Sequence, residues 1–323
     1  MKPILGKKIA ILIVALLFWL PGMEYVPAAA ASSNSTRKSA FASARTSASS
    51  TSRSSASLRS SKKFQATNSK KRRRSRRWWP SSHGDPTAGD NPAGEDPIVR
   101  EAAVEALGNW NGSAVVVDPN NGRVLSVVNQ QLALASAYTP CSTFKPIVGL
   151  AALKEGIITP ETKVRVGRRT RMDLTEALAH SNNPFFQKLG KQLGFDRLYE
   201  IAHRFGLGEK AGLNIPGESA GRFPEAVPVE GGVGLMSSHG KAIGVTALQM
   251  AAAMSAIANG GTLYQLQYPR TPEEIMNLQP QVRQRLDDLS EYLPQVKQGL
   301  AATVLYGTGR QAYNPEESIF GKT

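Results

Sequence analysis

The 323 residues provide for one large domain or two small ones, and a hydrophobic content of 41% is ordinary for a globular protein. The formal charge of +14 is unevenly spread: residues 32–80 hold 14 Lys and Arg and no acidic residue, whereas residues 81–323 hold 22 basic and 24 acidic side chains, a net of −2. The basic character therefore belongs to a tail, and with nothing beside it resembling a groove-reading module, nucleic-acid recognition is set aside.

Lys2, Lys7 and Lys8 precede an apolar run from Ile9 to Leu20, and small residues follow from Ala28 to Ala31. That is the layout of an export signal, so residues 1–31 read as a signal peptide or a membrane anchor and the protein as exported to the cell envelope, periplasmic or on the outer face of the cytoplasmic membrane. The apolar run is shorter than the roughly 20 residues that span a bilayer, which favours cleavage over anchoring. Residues 32–97 read as a disordered basic linker, because the Ser, Arg, Lys, Ala and Thr that dominate them bury too little apolar surface to offset the entropy of ordering. Their densest stretch, Lys70 to Arg77 followed by Trp78-Trp79, has the chemistry to touch an anionic membrane or cell-wall polymer, although a solvated, self-repelling linker is the plainer reading.

From Ile98 the pattern becomes that of a fold. A helix is expected over Ile98 to Gly108, then two apolar runs, Ser113 to Asp118 and Arg123 to Val128, joined by the turn Pro119-Asn120-Asn121-Gly122 as an antiparallel hairpin. Between Ser142 and Leu153 apolar residues cover nearly the whole circumference of a helix, the mark of a helix buried in a domain centre. Further helices are expected over Leu174 to His180, Pro184 to Leu193, Phe195 to Phe205, Thr246 to Asn259 and Val296 to Tyr306, and Ser318 to Gly321 reads as the entry to a strand. Cys141 is the only cysteine and has no intramolecular disulfide partner. The histidines, His83, His180, His203 and His239, lack metal-ligand spacing, so no metal site is expected.

Three short motifs carry chemistry: Ser142-Thr143-Phe144-Lys145, Ser181-Asn182-Asn183 and Lys322-Thr323. A serine hydroxyl needs a base to become a nucleophile, and Lys145, three residues on, lies one helical turn away on the same face. A lysine serves as base only when burial or a neighbouring positive charge disfavours its ammonium form; the apolar helix supplies the first and Lys322 the second. Each motif alone has a plainer explanation: an N-cap serine with a surface lysine, helix capping before Pro184, or chance.

Their order changes the reading, because such a trio marks penicillin-binding proteins and class A β-lactamases. The chain resembles the penicillin-binding transpeptidase family. The resemblance includes Tyr138 to Pro146 around the nucleophile, Phe205 to Gly208 with Ile215 to Glu218, Ile243 to Met250 with Ile257 to Gly261, and Gly307-Thr308-Gly309, and runs from about Ser113 to the last residue. It implies an α+β fold, an antiparallel sheet flanked by a helical subdomain. Residues 98–323 would form the transpeptidase domain. Ser142 would attack a D-Ala-D-Ala peptidoglycan stem peptide or a β-lactam that mimics it. Lys145 would take the hydroxyl proton, Ser181 would relay a proton to the departing amine, Asn183 would bind substrate, and Lys322 with Thr323 would recognise its carboxylate. No metal or organic cofactor is implied.

Two departures follow from the same resemblance. The family usually has Gly where this chain has Cys141, whose side chain would either pack harmlessly or crowd the entrance. The third motif usually continues with Gly and a small hydroxyl residue, so the chain is expected to be a C-terminally truncated fragment that lacks the final strands and helix. No glycosyltransferase or pedestal segment is legible before Ile98, which implies a lone transpeptidase domain on a basic tether. Competing readings are a serine β-lactamase, for which Glu273-Glu274 would be a distant candidate base but reads as part of a surface helix, and an inactive or β-lactam-sensing cell-wall-binding protein.

Overall fold

The structure, a computed structural model, describes residues 83–323 apart from Asn214. The signal-like segment and the linker as far as residue 82, residues 70–79 included, lie outside the described residues. The first helix, α1 (Pro97–Leu107), starts where Asp96 caps the amides of Ile98 and Val99 and proline occupies the first turn. Strands β1 (Ala114–Val117) and β2 (Val124–Val128) pair antiparallel, and the Asp118 carboxylate ties the turn between them by accepting from Asn120 and Asn121. Every residue of both strands is buried. Val99, Ala103 and Leu107 of α1 cover Ala114, Val116, Leu125 and Val128, while Val115, Val117, Val124 and Val127 enter the main core. Burial on both faces is why these strands read as unbroken apolar runs rather than alternating ones.

The rest is mostly helical. After α2 (Gln130–Ala135) a 3₁₀ turn, Cys141–Phe144, leads into α3 (Lys145–Lys154), in which every residue from Lys145 to Leu153 is buried. The helix expected from Ser142 thus starts its α-helical hydrogen bonding one turn later, with Pro146 in its first turn, where a missing amide costs nothing. A two-residue pair, β3 (Val164–Arg165) and β4 (Arg171–Met172), is followed by α4 (Leu174–Ala179), α5 (Asn183–Leu193) and α6 (Phe195–Arg204). Helix α7 (Gly232–His239) packs on α5 at Gly190, where a Cβ would stand 1.9 Å from Ser237 Oγ. Helix α8 (Ala247–Ala258) opens with a capping box between Thr246 and Gln249 and is buried almost throughout. Strand β5 (Thr262–Tyr264), α9 (Pro272–Met276), β6 (Val282–Arg285) and α10 (Leu293–Leu305) complete the order, with β5 and β6 antiparallel.

Among the described residues the antiparallel pairing is thus divided among three two-stranded units, and an isolated parallel bridge, Arg123 to Gln267, joins the first to the chain just after β5. Two expectations need correction. Residues Ser318 to Gly321 form no strand: among the described residues no strand lies alongside to complete a ladder, Phe320 stays 46% exposed, and the Gly321 amide bonds to the carbonyl of Leu300 instead. Residues 84–97, read as the end of a disordered linker, are folded onto the domain. Arg100 pairs with Asp90 at 2.8 Å and Glu95 at 3.0 Å, and both carboxylates are almost wholly buried. Asp90 also accepts from the amides of Asn129 and Gln130, and Glu95 accepts from Ser126, Gln130 and the Tyr268 hydroxyl.

Candidate active site

Four elements converge on one amine. The Lys145 side chain opens α3 and is fully buried, yet its Nζ lies 2.9 Å from Ser142 Oγ, 3.1 Å from Ser181 Oγ, 2.7 Å from the Ser181 carbonyl oxygen and 2.6 Å from Asn183 Oδ1. The Phe186 ring stands 5.6 Å from Nζ. The i,i+3 spacing delivers what the sequence suggested, with the serine on the 3₁₀ turn and the lysine at the helix start. Ser181 follows α4 in a left-handed conformation, φ 52°, held by its amide on the Leu178 carbonyl and by the Asn182 amide on Ala177. The middle residue, Asn182, performs the plainer task and caps α5 through the Phe185 amide, while Ser181 and Asn183 on either side turn to Lys145.

Lys322 reaches the same place from the other end of the chain, its Nζ 2.9 Å from Ser181 Oγ and 2.6 Å from the Thr323 carbonyl oxygen. Thr323 hydroxyl pairs with the Thr308 hydroxyl at 2.6 Å, and the Thr308 amide donates to the Ala179 carbonyl at 3.0 Å. The contact at Gly307 is closer still: a Cβ there would stand 2.2 Å from the Ala179 carbonyl oxygen. The Gly307-Thr308-Gly309 segment thus packs on the end of α4, two residues before Ser181, and positions Thr323. In the sequence the segment stood out only as part of the family resemblance, which carried no sign of its contacts with Ala179 and Thr323.

Burial first, and the Lys322 charge second, lower the Lys145 pKa to about 7. Burial likewise lowers Lys322 to about 8. At neutral pH the first amine is therefore available as a base while the second keeps most of its charge. Cys141, directly before the nucleophile, is exposed and has φ 50°, a left-handed backbone that suits glycine and strains other residues. The thiol is not packed into the core, and burial of part of it raises its pKa against the opposing pull of Lys145. Glu273 and Glu274 lie on the exposed α9, where Glu274 accepts from the Arg270 amide; the hydrogen bonds of Ser142 and Lys145 include no carboxylate. Among the described residues no group of three or more potential metal ligands occurs.

This geometry coincides with a family match over residues 112–323, to the penicillin-binding protein transpeptidase domain. The chain belongs to that family. Stage V sporulation protein D of Bacillus subtilis is 31% identical over 254 residues, 65% of this chain and 39% of that protein. Peptidoglycan D,D-transpeptidase FtsI of Escherichia coli is 27% identical over 181 residues, 47% of this chain and 31% of that protein. The chain spans about two fifths of the length of the first of these relatives, and less of the second. The transpeptidase-domain structure of Burkholderia pseudomallei penicillin-binding protein 3 superposes with a TM-score of 0.60 at 24% identity, covering 72% of this chain and 76% of that one, which establishes the α+β fold.

Proposed function

We propose that the domain is a serine D,D-transpeptidase that joins peptidoglycan stem peptides through an acyl-enzyme on Ser142. The observation that carries this is the buried Lys145 amine, pKa about 7, within hydrogen-bond reach of two serine hydroxyls. Neutral Lys145 takes the Ser142 proton as Oγ bonds to the carbonyl carbon of the donor peptide. The amide C–N bond then breaks, and the proton passes from Lys145 through the Ser181 hydroxyl to the departing D-Ala amine. An acceptor amine attacks the ester and loses its proton to Lys145, which returns it to Ser142 Oγ as the ester bond breaks. General base catalysis of this kind contributes ~10²- to 10⁴-fold.

Asn183 Oδ1 is occupied by Lys145, which leaves its Nδ2 to donate to the substrate. The Lys322 ammonium and the Thr323 hydroxyl bind the substrate carboxylate, the group that a β-lactam reproduces; the contact of Lys322 with Ser181 Oγ supports this assignment. The polymer that such an enzyme acts on lies outside the cytoplasmic membrane, and the signal-like first 31 residues support that location. The test is incubation of the full chain with a fluorescent penicillin, then a denaturing gel. A covalent band in the parent and none in Ser142→Ala is the expected result; a parent that takes no label refutes the proposal.

A further inference from the structure

A dense run of like charge among the described residues lies just before α4. The hairpin β3–β4 and its turn carry Lys163, Arg165, Arg168, Arg169 and Arg171, all exposed, with no Asp or Glu between residues 162 and 172. Of these five, Lys163 alone has an ion-pair partner among the described residues, Asp173 at 4.0 Å. The domain around them is close to neutral, with 22 basic and 24 acidic side chains over residues 81–323. Five like charges within nine residues repel one another, so the structure holds them together at a cost.

The hairpin is firmly mounted. Val164, Val166 and Met172 turn inward onto the main core, so the alternation of the strands sends the cations outward. The Val166 amide closes the turn on the Thr170 carbonyl at 2.9 Å, and Lys188 of α5 donates to the Arg165 carbonyl at 2.5 Å. Strand β4 runs into Asp173, the cap of α4, and the far end of α4 delivers Ser181. Six helical residues span about 9 Å. A polymer held at Ser142 extends beyond the reactive residues, and the hairpin lies one short helix from Ser181 along the chain.

We propose that this hairpin is a docking surface for the peptide-bearing glycan strand of peptidoglycan, its cations meeting the free carboxylates of neighbouring stem peptides. This rests on the transpeptidase reading for the identity of the polymer. It assigns to the domain a second, electrostatic contact that a small β-lactam does not use, and that weakens as salt rises because exposed charges are screened beyond about 8–10 Å.

The test compares the full chain with a triple variant, Arg165→Glu, Arg168→Glu and Arg169→Glu, in co-sedimentation with purified sacculi across a salt series. The basic stretch of residues 32–80 is present in both, so the difference reads the hairpin. Three exposed contacts reversed in sign are expected to weaken sacculus binding about tenfold at low salt and to flatten its salt dependence. Labelling by fluorescent penicillin is expected to be unchanged, which also shows that the variant is folded. Should it label poorly, the milder Arg165→Gln, Arg168→Gln, Arg169→Gln set gives the same reading with a smaller loss. Unaltered sacculus binding overturns the proposal. So does a loss confined to vesicles of anionic phospholipid, which would give the surface to lipid. A parent chain that binds sacculi through the hairpin but takes no penicillin leaves this surface standing and removes the catalytic reading.

Discussion

Replacing Lys322 with Met removes a charge and keeps a side chain of similar shape, and so tests how the base is tuned. The amines of Lys145 and Lys322 share Ser181 Oγ at 3.1 Å and 2.9 Å, which bounds their separation at about 6 Å. At an effective dielectric of about 20, two unit charges at that distance interact by roughly 2–3 kcal/mol, an upper limit of about two pKa units on the Lys322 contribution. Removing Lys322 relieves the ammonium of Lys145 from that repulsion but leaves burial, the larger cause, in place. Because burial accounts for more of the fall from 10.5 to about 7 than Lys322 does, less than half of it is recovered, and the pKa rises to about 8.5 at most. A base must be deprotonated to act, so the acid limb of the acylation rate moves to higher pH by the same amount. At pH 7 the neutral fraction falls from about half to no less than about 3%, a loss of up to ~15-fold that alkaline pH restores. The assay is the second-order rate of labelling by fluorescent penicillin from pH 6 to 10, in parent and variant. Loss of the carboxylate contact lowers the whole curve without moving its limb. A limb that stays near 7 in Lys322→Met would refute the claim that the second lysine tunes the first.

Other outcomes follow from the packing and the charge network. Stability to denaturant is expected to rise from pH 7 to about 9.5, because unfolded lysines bind protons that folded Lys145 and Lys322, with pKa values near 7 and 8, have released. Lys145→Met should flatten that rise, and a falling or flat parent curve would contradict it. Deleting residues 1–96 removes Asp90 and Glu95 and leaves Arg100 half-buried without its partners, which should destabilise the domain by roughly 3–5 kcal/mol against a deletion ending at residue 82, measured by chemical denaturation. Gly190→Ala drives a methyl into Ser237 and should lower stability by about 1–3 kcal/mol, with Ser237→Ala in the same chain recovering part of the loss. Gly307→Ala meets backbone rather than a side chain at the Ala179 carbonyl, so it should reduce both melting temperature and penicillin labelling.

The sequence showed the site more plainly than the frame that holds it. Ser142 and Lys145 were legible because the partner lies one turn away and the helix behind them is apolar all round, so the hydrogen bond and the burial of the amine are both local, whereas the Lys322 charge comes from the far end of the chain. The hairpin of β1 and β2 was legible from its Asn-Gly turn. The folded segment before α1 was not, because Asp, Asn, Gly and Pro are the residues of turns and linkers, and what orders them is Arg100, Gln130 and Tyr268, the last of these 173 residues away from Glu95. Helix α7 was hidden by its glycines, which lower helix propensity; its packing on α5 overrides that preference. Strands β3 to β6 are two to four residues long, too short for any periodicity to declare itself.

The four partners of Lys145 also fix the count of hydrogens at the site. The Ser181 carbonyl and Asn183 Oδ1 only accept, so they consume two N–H groups. A neutral amine has two N–H groups and one lone pair. With both hydrogens committed elsewhere, the lone pair is left for the two serine hydroxyls, 2.9 Å and 3.1 Å away. The amine is thereby held with its basic orbital toward the two serines, so a third proton arrives on the side of the nucleophile and the relay, where the reacting groups meet.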